Sequence, residues 1–201
     1  MAQRAPAAPL RGDDLTAKAR IRNAALDLFA EHGVDATPLR AVATAAGVTV
    51  GLIVHHYGTK ETLREAVELA IVERFADTIR SVPIDGAAGG DVVAGRDHAV
   101  ADMLAASPAV VDYLRRAILD RSGERGDLVS RLSELSAQQV NELRDAGLVS
   151  ARHTVGEQVV TIMVRQLGRL FLQPLVDRIA DEFADELDGT AAPQLVVTVS
   201  R

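Results

Sequence analysis

The chain has 201 residues and a mass of 21.4 kDa, with 48% hydrophobic and 25% charged residues, enough apolar material for a packed core and too little bias for global disorder. The absence of cysteine excludes disulfides, thiolate metal sites and a cysteine nucleophile, and sets a reducing interior as the expected compartment. The net charge of -6 hides a division, because residues 1–64 carry +2 and residues 65–201 carry -8. A positive N-terminal end on an acidic protein suggests that this end meets a polyanion.

In chain order, Met1 to Asp14 holds Pro6, Pro9, Asp13 and Asp14, unlike a signal peptide, and reads as a flexible arm. No stretch approaches the roughly 20 apolar residues of a membrane span, so a soluble protein is expected, with no membrane partner. From Thr16 to His32, Ile21, Ala25, Leu28 and Phe29 form an amphipathic stripe that Gly33 stops. Thr37 before Pro38 predicts an N-cap, and Leu39, Val42 and Ala43 supply the inward face of a short second helix ending at Gly47. Thr49 caps a third helix with Ile53 and Tyr57 inward and Val50, Val54, His55 and His56 facing elsewhere, closed by Gly58. A longer helix from Thr59 carries Leu63, Val67, Ile71, Phe75 and Ile79 along one side and ends before Pro83.

Residues 84–95 hold four of the 15 glycines and read as a flexible loop, matching neither GxGxxG nor GxxxxGK[ST]. Further helices are predicted at Arg96 to Ala106, Pro108 to Asp120, Asp127 to Ala146, Val155 to Leu172 and Pro174 to Leu187. The β-branched run Leu195 to Val199 reads as a frayed tail or an added strand. The fold class is therefore all-α. The domains expected are an arm at 1–14, a module of short helices at 15–63, a helical body at 64–188 whose 64–82 segment connects the two, and a tail at 189–201.

Two short helices joined by Ala45-Ala46-Gly47-Val48-Thr49 have the layout of a helix-turn-helix, whose second helix enters a major groove about 12 Å wide. The segment IRNAALDLFAEHGVDATPLRAVATAAGVTVGLIVHHYGTKETL, Ile21 to Leu63, resembles the DNA-binding region of TetR/AcrR-family transcriptional regulators. Its marks are AALDLFAEHG, the threonine and Arg40 of helix two, AAGVT, Gly51, His56-Tyr57 and Thr59-Lys60-Glu61-x-Leu63. The resemblance implies an all-α homodimer that reads operator DNA with its N-terminal modules and binds a small-molecule effector in its C-terminal domains; no cofactor and no enzymatic activity is expected. By position, Thr37 and Arg40 resemble residues that approach phosphates or a flanking base. Thr49, Val50, Gly51, Val54, His55 and His56 occupy the recognition surface, and Lys60 resembles a phosphate clamp, since cation-phosphate contacts set register without reading sequence.

Val50 and Val54 depart from the family pattern, in which polar residues and a tyrosine are common. Their methyl groups contact thymine C5-methyls but bond no base edge. Arg4 and Arg11 suit minor-groove contacts. In the C-terminal body, Val159, Val160, Met163, Leu167, Leu170 and Phe171 precede Leu175, Val176, Ile179, Phe183 and Leu187, two stripes that suit a four-helix dimer interface, with Leu170, Leu175, Val176, Ile179 and Phe183 at its centre. Phe75, Thr78, Met103, Tyr113, Gln139, Met163 and Gln166 are effector-pocket candidates, and the scarcity of aromatic residues favours an aliphatic or modestly polar ligand. His98 and Asp102, four apart, with His153, make a weak metal set, and no metal is expected. No GxSxG, HExxH or cysteine nucleophile supports catalysis. The reading is a ligand-released repressor, with an activator of the same family, a helical adaptor or small-molecule-binding protein without sequence-specific DNA binding, or an enzyme acting on a small apolar molecule as alternatives.

Overall fold

A computed structural model describes residues 17–84, 89–119, 127–183, 193, 195–197 and 199. Its helices are α1 (Ala17–His32), α2 (Leu39–Ala46), α3 (Val50–Tyr57), α4 (Lys60–Arg80), α5 (Gly89–Ala105), α6 (Pro108–Leu119), α7 (Leu128–Asp145) and α8 (Val155–Glu182), and no strand occurs among the described residues. The all-α expectation is met. The arm with Arg4 and Arg11, residues 120–126 and Leu187 lie outside the described residues.

The chain divides into two compact units, Met1–Ala87 with Asp91–Leu132, and Ala88–Gly90 with Ser133–Arg201. The expected division after Leu63 follows the motif, whereas packing keeps α4 and α6 with α1. In the first unit Ile21, Ala25, Leu26, Phe29, Val42, Ile53, Leu63, Val67 and Ile71 are almost fully buried, the inward stripes of α1 to α4 closing on one another. The reason is the 3.6-residue period, which gathers these side chains on one face of each helix. Arg116 of α6 donates from Nε to the Ala30 carbonyl at 2.7 Å and from its terminal nitrogen to Glu31 at 2.6 Å. A cation at a helix C-terminus satisfies carbonyls that lack an intrahelical partner, so α6 is tied to the end of α1.

Three expectations are corrected. α2 starts at Leu39 with Pro38 as its N-cap and no side-chain cap, so Thr37 is not the capping residue. α5 begins at Gly89, inside the stretch read as a loop, because Val92 and Arg96 are buried and Asp91 sits in the first turn, which outweighs the poor helix propensity of two glycines. α8 runs unbroken through Pro174, where two helices were predicted. A proline costs one intrahelical hydrogen bond without ending the helix when both flanks are helix-forming. As one 28-residue helix with mean hydropathy 1.2 over its most apolar window, α8 is long and apolar enough to cross a membrane, by length and composition alone. Arg165, Arg169, Asp177 and Arg178 interrupt it.

Within the second unit, α8 starts with a capping box in which Thr154 Oγ1 accepts from the Glu157 N–H at 3.2 Å and Glu157 Oε2 accepts from the Thr154 N–H at 2.8 Å. Near its far end, Gln173 donates to Pro193 O at 2.9 Å and its Oε1 accepts from the Leu195 N–H at 2.7 Å. A Cβ on Gly168 would lie 2.7 Å from Val197 Cγ2, so glycine permits the close approach of this segment to α8. Leu195 and Val197, where they are described, thus lie against α8 and form no strand.

Candidate nucleic-acid interface

The reading surface is built by the turn between α2 and α3. Gly47 is left-handed at φ 65°, its N–H donates to Thr44 O at 3.2 Å, and the Val48 N–H donates to Ala43 O at 2.9 Å. These bonds satisfy the end of α2 and turn the chain so that α2 and α3 meet at a bend of 103°. Thr49 Oγ1 then accepts from the Leu52 N–H at 3.3 Å and caps α3.

The inner face of α3 is fixed by Ile53 and Tyr57, both buried. The Tyr57 hydroxyl donates to Lys18 O at 2.7 Å, and the Lys18 ammonium lies 5.7 Å from the ring centroid, so one side chain joins α3 to α1. Burial pushes the Tyr57 phenol above its ordinary pKa, which keeps it a donor. With that face anchored, Thr49, Val50, Gly51, Val54 and His55 are exposed on the other; Val50 is 40% and Val54 49% exposed. His56 is half-buried, its ring edge-on to that of His55 with centroids 5.3 Å apart. The structure therefore brings the six recognition-helix residues to one short helix, five of them at the surface.

The flanking anchors differ among themselves. Arg40 is exposed in the first turn of α2. Lys60 opens α4, and its Nζ donates to Asp35 O at 3.0 Å, so the cation is held beside the loop that leads into α2. Thr37 is a correction: it is 1% exposed and its hydroxyl lies 2.7 Å from Gly33 O and 3.3 Å from Leu28 O. Its side chain closes the end of α1 and is not offered to phosphate. Sequence position alone could not separate Thr37 from Arg40; the apolar residues on either side of a buried threonine carry no signal for a carbonyl partner nine residues away.

The effector candidates are scattered. Phe75 and Met103 are buried, and Thr78 Oγ1 donates back to Arg74 O at 2.8 Å. In the second unit, Met163 Sδ accepts from Ser136 Oγ at 3.6 Å, while Gln139 and Gln166 are half-buried. Tyr113 alone of the seven lines a cleft of about 510 Å³, which lies in the first unit among α1, the α1–α2 loop, α4 and α6. Its hydroxyl donates to Glu68 Oε1 at 3.0 Å. Glu68, 2% exposed, was missed because it sits beside the Val67 stripe as a lone charge and reads as surface. Burial raises the Glu68 carboxyl above the usual range, and burial with the neighbouring Glu68 raises the Tyr113 phenol. The weak metal set is no more than exposed pairs: His98 Nε2 is 3.4 Å from Asp102 Oδ2, and His153 Nδ1 is 3.8 Å from Glu157 Oε2.

Along α8, Val160, Val164, Leu172, Leu175, Ile179 and Phe183 are each 40 to 52% exposed. Leu175, Ile179 and Phe183 among the expected interface residues are in this set, while Leu170 and Val176 are half-buried. Val164 and Leu172 are additions that the wide apolar stripe concealed.

Residues 21–67 match the model of the bacterial regulatory proteins of the tetR family. The chain is 48% identical over 66 residues to the HTH-type transcriptional regulatory protein RaaS of Mycobacterium tuberculosis, covering 33% of this chain and 31% of RaaS. It is 32% identical over 82 residues to the HTH-type transcriptional repressor KstR2 of Rhodococcus jostii, covering 39% of this chain and 40% of that protein. The matched segment thus spans about a third of the length of the first of these relatives. Among solved structures, GusR of Salmonella enterica superposes with a TM-score of 0.66 at 19% identity, covering 89% of this chain and 96% of that one, a likeness of fold.

Proposed function

We propose that this chain, whose residues 21–67 match the family model of the bacterial tetR regulatory proteins, is a cytoplasmic, homodimeric transcriptional repressor of that type, which a small-molecule effector releases from a palindromic operator. One observation carries this reading: α3 is anchored by Ile53 and Tyr57 and leaves Thr49, Val50, Gly51, Val54 and His55 facing solvent on a helix set at 103° to its predecessor. A single helix so presented fits a major groove. Arg40 and Lys60 flank it as phosphate contacts, and His55 and His56 are its polar donors.

Two half-sites one helical turn apart, about 34 Å, require two copies of the head. The exposed Leu175, Ile179 and Phe183 on the α8 side, with the half-buried Leu170 and Val176 beside them, supply the dimer contact in this proposal. Effector binding in the helical body favours a spacing of the heads that misfits the operator. A coupling of about 1 to 3 kcal/mol lowers operator affinity about five- to 150-fold, and DNA weakens effector binding equally.

Selection of bound fragments from random duplex DNA, followed by displacement with a metabolite panel, tests both halves. The expected result is an enriched palindrome that a panel member releases. The exposure of Val50 and Val54, which bond no base edge, favours a second reading, a helical adaptor that reads no sequence. Failure to enrich any palindrome would establish that reading over the repressor.

A further inference from the structure

In a helix-turn-helix the N-terminal residues of the second helix meet the base edges. On α3 the exposed residues of that part are Thr49, Val50, Gly51 and Val54, with Val50 40% and Val54 49% open to water. Thr49 Oγ1 is committed to the Leu52 N–H at 3.3 Å as the helix cap, and His55 and His56 lie in the last turn. The stretch that faces base edges therefore presents two isopropyl groups beside a bare backbone. A Cβ on Gly51 would meet only Thr49 Oγ1, at 3.8 Å, which is ordinary contact, so no packing within the chain calls for glycine there. Glycine disfavours a helix relative to alanine, a cost that is offset where another surface must come close to the backbone.

The chemistry of the groove decides what that surface offers. An isopropyl group bonds no donor or acceptor on a base edge, and the apolar feature of the major groove is the C5-methyl of a pyrimidine, carried by thymine and equally by 5-methylcytosine. Cytosine in the same place sets its amino donor against a side chain that cannot accept from it. Arg40 and Lys60, in the first turns of α2 and α4, bring cations to the same head, which suits a phosphate backbone rather than an apolar protein groove. Residues four apart on a helix have Cβ atoms about 5 to 6 Å apart, and successive bases of one strand rise by about 3.4 Å. The two valines thus reach methyl groups no more than about two base steps apart.

We propose that α3 reads its operator through C5-methyl groups, with Val50 and Val54 each seated on a methyl-bearing pyrimidine of the same half-site, and with Gly51 letting the base edges approach. This inference rests on the operator-binding reading and adds the base feature on which selectivity depends.

The test uses the full chain and fluorescein-labelled duplexes that carry the palindrome enriched from random DNA. Deoxyuridine replaces each thymine of the half-site in turn, which removes one methyl and leaves every hydrogen-bonding edge in place. Fluorescence anisotropy is expected to show affinity falling about fourfold for each contacted methyl removed, at one or two positions per half-site, and unchanged at the others. Placing cytosine and then 5-methylcytosine at such a position, opposite guanine, is expected to show methylation recovering about fourfold. Val50→Ala and Val54→Ala, both at the surface, are expected to unfold as the parent does, and each to abolish the deoxyuridine effect at its own position. The deoxyuridine scan on the unaltered protein needs neither variant. A palindrome without thymine, indifference to deoxyuridine at every position, a methyl effect that both alanine variants retain, or indifference to cytosine methylation would each overturn methyl reading while leaving operator binding in place. Failure to enrich any palindrome would overturn both, and would assign the valine face to a protein partner.

Discussion

The reading head and α8 solve the burial of apolar surface in opposite ways. In the head, Ile21, Leu26, Phe29, Val42, Ile53 and Leu63 are each at most 2% exposed, so short helices with little intrinsic stability are held by one another. In the 28-residue α8 and its C-cap Phe183, six large apolar side chains from Val160 to Phe183 remain 40 to 52% exposed. The head is complete within one chain, whereas α8 carries a surface that water penalises until something covers it. The pair Phe29→Ala and Phe183→Ala is the sharpest way to break this contrast. Phe29→Ala is expected to destabilise the head by about 3 to 5 kcal/mol in urea unfolding, through lost burial and a cavity. Phe183→Ala, already half in solvent, is expected to leave the stability of the isolated chain within about 0.5 kcal/mol. Equal losses would mean that α8 is as self-sufficient as the head.

Covering α8 with a second copy gives the next largest effect. Ile179→Asp places a charge in the centre of the proposed contact, where a hot-spot residue is worth about 2 kcal/mol or more. Sedimentation equilibrium is expected to show dissociation displaced by at least about thirtyfold, and operator binding weakened with it, because two half-sites reward only linked heads. A dimer of unaltered strength would assign the exposed face to another occupant.

The same contrast explains how much could be read before any coordinates. α1 to α4 were legible almost to the residue, because Gly33, Gly47 and Gly58 adopt positive φ, Thr49 and Thr59 cap with their own hydroxyls, and each inward stripe follows the helical period. Local chemistry and tertiary packing agree there. Where they disagree, the sequence misleads. Gly89 and Gly90 start a helix because Val92 and Arg96 are buried further along it, and Pro174 passes through α8. Thr37 turns back on Gly33 O, four residues before it, at 2.7 Å and on Leu28 O at 3.3 Å, and Glu68 was opaque for a different reason: its partner, the Tyr113 hydroxyl, lies 45 residues away. A polar side chain whose role is set by so distant a partner leaves no periodic trace.

Glu68 also distinguishes the head from α8 by pH. Its carboxyl is raised in the folded state by burial, so the folded chain binds the proton more tightly than the unfolded chain does. Between the unfolded carboxylate value and the raised folded one, the native state holds more protons than the unfolded state, and stability falls as pH increases. Glu68→Gln keeps an acceptor for the Tyr113 hydroxyl and removes the ionisation. It is expected to be more stable than the parent at pH 7 by about 1 kcal/mol and to lose that downward slope. Chemical denaturation from pH 4 to pH 8 measures both, and parallel curves for the two proteins would place the carboxyl outside the head's pH response.

The smallest effect concerns Lys60, whose Nζ donates to Asp35 O and which is also the proposed phosphate clamp. The two roles predict different losses. A residue that only holds the loop lowers operator affinity by the same factor at every salt concentration, since no counterion is released through it. A phosphate contact also flattens the dependence of log K on log salt, by about 0.9 for one charge. Lys60→Gln retains a donor for Asp35 O and loses the charge, so it isolates the second role. The expected outcome is an affinity about fivefold lower near 0.15 M salt and converging with the parent at higher salt, the same for selected and random duplexes. Curves that stay parallel across the salt range would confine Lys60 to the loop it already touches and leave Arg40 as the phosphate anchor of the head.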